Sequence, residues 1–169
     1  TLDSLRDTLA EVGPRRRSLG CLRGSDLVEP CLRVMAGALC GQLPPQPRTP
    51  HTYRLLDNGT MAHYRMYAYF KLFPEPWVVR PAVTWTRWPI AGESDIWLSH
   101  PKIGEWVVEY KTMNLIEFRS LTAPRDDHVG QLNTYLSLSA APNGLVLYEN
   151  KNNQDLKAFN TVYNHYRFT

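Results

Sequence analysis

The sequence has no cysteine after Cys40, and the three it holds, Cys21, Cys31 and Cys40, stand ten and nine residues apart. An odd number at those intervals excludes a closed disulfide framework and does not make a self-contained zinc site. Reduced, mostly buried thiols are expected. Nowhere do apolar residues run to the ~18 that a bilayer-spanning helix needs, and no signal-peptide core stands near the N-terminus. A soluble, cytoplasmic protein without a membrane partner is expected. There is no internal repeat. Charge of one sign is barely in excess, with 19 Lys and Arg against 16 Asp and Glu. Such a balance permits a polyanionic partner without demanding one.

What is present is ordinary globular material. The chain's 169 residues, 43% hydrophobic and 11% aromatic, suffice for one domain with a core, and the composition excludes global disorder. The basic residues cluster once, in Arg15, Arg16 and Arg17, which read either as a solvated loop or as a contact to phosphates.

Patterning divides the chain into a helical front and a mixed remainder. Residues 1–20 read as a short helix and a loop. Apolar residues at Leu27, Cys31, Val34, Met35, Ala38 and Leu39 predict a helix over Asp26–Cys40, ended by Gly41. Residues 42–51 are a proline-rich connector. A second helix is predicted over Asn58–Leu72, with Asn58 as a candidate cap and Met61, Ala68 and Leu72 on one side. Trp77–Trp88, interrupted by Pro81, reads as an edge strand or two short strands, followed by strands over Ile90–Ser99 and 105–111. Leu115–Thr122 is a loop or a short helix. Pro124 opens a third helix that runs to about Ala140, Leu145–Tyr148 suits a buried strand, Lys157–Phe159 adds an edge, and Thr161–Tyr166 reads as a terminal helix.

The chemistry concentrates in Trp106-Val107-Val108-Glu109-Tyr110-Lys111. On a strand, Glu109 and Lys111 point to one side about 7 Å apart. They are either a solvated ion pair or a catalytic couple. Asp95 lies fourteen residues earlier in "GESDIW", so antiparallel pairing would set it beside Glu109. Two carboxylates converging in a partly apolar place need a cation or a shared proton, and oxygen ligands suit Mg²⁺ or Mn²⁺. Gln131 and Tyr135 share a helix face, either to hold a phosphate or to bond within the packing. His63, after "NGTMA", is either structural or a further metal ligand. Of the five tryptophans, most read as core; Trp88 is the one expected to be exposed and to stack on a base.

The series "GTMAH", "GESDIW", "VVEYK" and "QLNTY", with "GLVLYENKNNQDLKAF" behind it, resembles the PD-(D/E)XK nuclease superfamily. It is most similar to the RecB-like branch, which includes phage and CRISPR-associated exonucleases. The resemblance covers roughly residues 55–160. It implies an α/β (α+β) restriction-endonuclease-like core, a mixed central sheet flanked by helices, over residues 51–169, with residues 1–50 as a helical, proline-rich extension packed on it. It further implies that His63, Asp95 and Glu109 are metal ligands, with the Tyr110 carbonyl completing the shell, and that Lys111 orients or deprotonates the attacking water. Gln131 and Tyr135 would match the branch's Gln-x-x-x-Tyr motif and position the DNA backbone. Two departures stand out. Ser94 occupies the position before the acidic residue where proline is usual. Cys31, in "EPCLR", resembles the early cysteine of relatives with an iron–sulfur cluster, but no later cysteine completes one, so no cluster is expected.

The function so implied is hydrolysis of DNA by a Mg²⁺- or Mn²⁺-dependent exonuclease acting on single strands or duplex ends, in a bacterial or phage-infected cell. RNA as substrate, through a viral-type endonuclease, is the second enzyme reading. A nuclease fold that binds nucleic acid without cutting it is the third.

Overall fold

The computed structural model describes residues 21–27, 31–40 and 49–162. In chain order these form α1 (Gly24–Leu27), α2 (Leu32–Leu39), α3 (Pro50–Phe70), β1 (Val78–Arg87), β2 (Ile90–His100), β3 (Gly104–Met113), α4 (Leu115–Ser120), α5 (Asp126–Ser139), β4 (Asn143–Asn150) and β5 (Leu156–Val162). The strands build one five-stranded sheet in the order β1-β2-β3-β4-β5. All neighbours pair antiparallel except β3 and β4, which are parallel and joined through α4 and α5. It is the expected mixed α/β architecture.

The middle of the sheet is buried on both faces, so β3 and β4 read as near-continuous apolar runs rather than alternating ones. On one face Val107, Met113, Val146 and Tyr148 meet Leu132, Tyr135 and Leu136 of α5 and Phe118 of α4. On the other, Ile96, Leu98, Val108, Tyr110 and Leu147 meet Ala62, Met66 and Phe70 of α3. Adjacent residues Val107 and Val108 are both fully buried because each serves a different core. Close approach of α5 to the sheet depends on glycine: a Cβ on Gly144 would stand 2.8 Å from a Leu132 methyl.

Helix α3 departs most from the sequence reading. It starts at Pro50, not at Asn58, because Thr49 caps it, its hydroxyl accepting from the Thr52 N–H at 3.2 Å, and proline suits a first helical position. Residues 49–51 therefore belong to the helix and not to the connector. Its buried stripe is Ala62, Met66 and Phe70, spaced four apart, while Met61, Ala68 and Leu72 face out. The helix predicted over Asp26–Cys40 is two helices, α1 and α2, with Leu32 77% exposed. Cysteine burial fails too. Cys31 and Cys40 flank α2 and are exposed, Cys21 is half-buried, and all three thiols are free.

Elsewhere the elements agree with the sequence pattern. Leu115–Ser120 settles as a helix whose cap is Asn114, Oδ1 accepting from the Glu117 N–H at 2.9 Å. Helix α5 begins two residues after Pro124 and ends on Ala140 in the left-handed region, φ 58°. Pro81 lies on the edge strand β1, where a missing N–H costs no ladder bond to the sheet interior. Four tryptophans, Trp77, Trp85, Trp97 and Trp106, pack half-buried against the two cores. Trp88, at the β1–β2 turn, is 80% exposed. Thr161 and Val162 are strand, and the rest of the predicted terminal helix lies outside the described residues, as do residues 1–20 with Arg15, Arg16 and Arg17 and the stop at Gly41. No described helix is long and apolar enough to cross a membrane.

Candidate active site

The site forms where β2 and β3 part. Their ladder runs from His100↔Gly104 to Ile96↔Val108 and goes no further. One residue beyond it, Asp95 turns its carboxylate into the opening, and the Tyr110 N–H donates to Oδ2 at 2.8 Å. Helix α3 brings His63 to the same carboxylate, Nδ1 3.0 Å from Oδ1. The His63 ring stands edge-on to the Tyr110 ring, 5.0 Å between centroids.

Strand β3 supplies the second pair. Glu109 is 1% exposed, and its Oε1 lies 2.5 Å from Lys111 Nζ. Its Oε2 is buried without a hydrogen-bond partner among the described residues. Burial pushes the Glu109 carboxyl up, the Asp95 charge pushes it further, and Lys111 offsets only part of this, leaving it at about 8. Burial pulls the Lys111 ammonium down, but the contact with Glu109 together with the Asp95 and Asp127 charges more than reverses that and holds it above its usual value.

Helix α5 continues the polar chain from the other side. Lys111 Nζ donates to Gln131 Oε1 at 3.2 Å, and Gln131 Nε2 donates to the Tyr135 hydroxyl at 2.6 Å. The four-residue spacing of Gln131 and Tyr135 makes this bond possible. Burial, then the Glu109 charge, holds the Tyr135 phenol well above its usual range. Its ring lies where side chains on Gly24 and Gly92 would stand; a Cβ on Gly92 would be 2.5 Å from Cε1.

The site residues named from sequence thus fall into two contacting pairs, His63–Asp95 and Glu109–Lys111, with Gln131 and Tyr135 extending the second. Among the described residues no group of three or more His, Cys, Asp or Glu stands ready-clustered at metal-ligand spacing. The donor chemistry nonetheless fits a hard divalent ion. The orphaned Glu109 Oε2 and the mutual repulsion of Glu109 and Asp95 are both relieved by a cation between them. Tyr110 reaches the site through its main chain; its side chain serves the opposite face, where the hydroxyl donates to Glu149 Oε2 at 2.7 Å. Trp88 takes part in none of these contacts. Ser94, before Asp95, is fully buried, and its hydroxyl has no hydrogen-bond partner among the described residues.

Two groups escaped the sequence reading. Arg65, two residues after His63, pairs with buried Glu149, which also holds Tyr110. The only hint was an acidic residue closing the apolar run Leu145–Tyr148. His128, whose Nδ1 is 2.9 Å from the Tyr148 hydroxyl, is pushed down to about 4 by burial and then by the Lys111 charge. Nothing in its sequence context marked it. A groove of about 380 Å³ also opens beside the site, between α3 and the β1–β2 hairpin, with His63 and Asp95 in its lining.

The architecture has solved counterparts. The chain matches an alkaline exonuclease from Laribacter hongkongensis, LHK-Exo, with TM-score 0.61 at 12% identity, covering 86% of this chain and 79% of that one. The fold is shared with an exonuclease. The structure of LHK-Exo in complex with dAMP matches equally, TM-score 0.62 at 13% identity over the same shares of the two chains. A third structure, SSO0001, matches with TM-score 0.56 at 18% identity, covering 95% of this chain and 74% of that one. No protein-family model matches the sequence, and no curated protein matches it.

Proposed function

We propose that the chain is a divalent-metal-dependent nuclease that hydrolyses DNA phosphodiester bonds, as an exonuclease on single strands or duplex ends. The observation that carries this reading is a buried carboxylate with an orphaned oxygen, Glu109, held between a lysine and a second carboxylate. Such an arrangement destabilises the fold unless a ligand uses it. The shared fold with LHK-Exo supports the same reading, and the dAMP in that protein's complex supports a nucleotide as ligand. The Gln131-x-x-x-Tyr135 spacing supports the RecB-like branch.

His63, Asp95 and Glu109 would hold Mg²⁺ or Mn²⁺, and a bound ion of that kind supplies a water of lowered pKa and positive charge against the phosphate oxygens. The chain's own residues do the rest. Lys111, kept charged by Glu109 and aimed by Gln131, places a cation where negative charge grows on the phosphate and orients the attacking water. The Tyr110 N–H holds Asp95 in line. Gln131 and Tyr135 position the DNA backbone against Lys111, and Trp88 offers an exposed ring to a base.

The closed Glu109–Lys111 pair favours one second reading, a nuclease fold that binds nucleic acid and no longer cuts it. End-labelled single-stranded DNA, duplex DNA and RNA, incubated with Mn²⁺, Mg²⁺ or EDTA, separate the two. Cleavage that needs the metal and is lost in Lys111→Ala supports the nuclease, and the product ladder gives exo or endo action. Binding without cleavage in every metal supports the second.

A further inference from the structure

Helix α3 carries a glycine that the fold does not need. Gly59 sits mid-helix, where glycine is the least stable residue short of proline. A Cβ there would meet nothing within 4 Å, so no packing contact among the described residues requires its absence. What Gly59 does face is the groove beside His63 and Asp95. Across the groove, Ala82 adopts φ 44°, a left-handed conformation costly for alanine, and the β1–β2 ladder passes over it between Pro81↔Ile96 and Val83↔Ser94. Two local rules are broken, on opposite walls of one cavity.

The lining tells what the cavity suits. Among the described residues it holds the carboxylates of Glu93 and Asp95 but no lysine or arginine, so a phosphate would be repelled along its length. Tyr64 and Tyr67 line it, and Tyr64, 64% exposed, has no hydrogen-bond or ring partner among the described residues. A flat, uncharged heteroaromatic group fits that description.

We propose that this groove seats the nucleobase of the nucleotide being released, with Gly59 leaving room for it and Tyr64 stacking on it. The proposal rests on the nuclease reading of the neighbouring site. It assigns the phosphate to the Asp95–Glu109 end and the base to the apolar end, so the substrate end must be unpaired when it is cut.

The test uses the full chain and short single strands ending in 2-aminopurine, whose fluorescence is quenched on stacking, with EDTA present so that nothing is cut. Wild type should quench the probe. Gly59→Leu, which fills the groove from a good helix-forming residue, and Tyr64→Ala should each lose at least half of that quenching, with Gly59→Leu melting no lower than wild type. In Mn²⁺, wild type should cut a normal end at least tenfold faster in kcat/KM than an abasic end, and both variants should lose that preference. Quenching and preference unchanged in both variants overturn the base seat while cleavage leaves the nuclease intact. Quenching that depends on Gly59 and Tyr64 without cleavage in any metal overturns the assignment to a released nucleotide together with the nuclease reading, and leaves a groove that only binds a base.

Discussion

Lys111 Nζ lies 2.5 Å from Glu109 Oε1, a contact made possible because alternate residues of β3 share one face of the sheet. Among the described residues no second carboxylate pairs with the lysine, and Gln131 fixes its remaining direction. Its charge is therefore aimed, not free. Lys111→Ala should lower kcat for DNA cleavage by roughly 10²–10³, the usual effect of losing one preorganised electrostatic contact, with KM little altered. Single-turnover cleavage at saturating Mn²⁺ checks it; a loss confined to KM would make Lys111 a binding residue.

Glu109 sets the pH dependence. Its folded carboxyl is raised from 4.5 to about 8, so without metal the folded state holds the proton more tightly than the unfolded chain. Its favourable contribution is complete below 4.5 and is lost as pH rises to about 8. In EDTA, Tm of Glu109→Gln minus Tm of wild type should grow between pH 5 and 9; the lost partner of Lys111 shifts the whole curve but not this trend. Since a ligating carboxylate must give up its proton, Mn²⁺ affinity should rise with pH and level off above about 8. Calorimetric titration across that range reads both directly.

His63 touches Asp95 from a helix that the sheet core holds independently through Ala62, Met66 and Phe70. Removing its half-exposed ring should leave the fold intact. His63→Ala is expected to weaken Mn²⁺ binding by about tenfold or more while changing Tm by little, because a nitrogen ligand is lost and what it gives the core is one edge-on contact to the Tyr110 ring. An unchanged metal affinity would return His63 to a structural role.

Gly92 lies under the Tyr135 ring, where a methyl group would stand 2.5 Å from one ring carbon and 2.7 Å from another. Tyr135 is 4% exposed and cannot swing away without breaking its bond from Gln131. Gly92→Ala should therefore destabilise the fold by about 1–3 kcal/mol, an overpacking cost. Urea unfolding measures it. Activity should fall further than stability accounts for, since Gln131 orients Lys111.

The sheet was largely legible because its strands obey short-range rules. Period-two patterning, the Pro81 interruption and the buried run Leu145–Tyr148 each follow from the residues of a single strand. Helix α3 was misread for an instructive reason. Its apolar residues are dense enough to suggest several stripes, and only contact with β2 and β3 selects Ala62, Met66 and Phe70. The Thr49-Pro50 cap signal is present in the sequence, masked by the prolines of the stretch that precedes it. Cysteine burial failed because α2 lies away from both cores, a property of placement and not of composition.

The sequence by itself determined which side chains are the candidates for the chemistry: an acid and a lysine alternating on one strand, an aspartate on the strand before, a Gln–Tyr pair four apart on a helix. Those are consequences of spacing, and spacing is local. Only the tertiary structure decided that α3 and α5 reach the site from opposite faces of the sheet, that the β2–β3 ladder ends at Ile96↔Val108 so Asp95 can bond the Tyr110 N–H, and that Glu109 is buried. Burial raises its carboxyl to about 8, and desolvation depends on everything packed around a group rather than on its neighbours along the chain. The groove beside Gly59 is of the same kind, an empty space that exists only between elements distant in sequence.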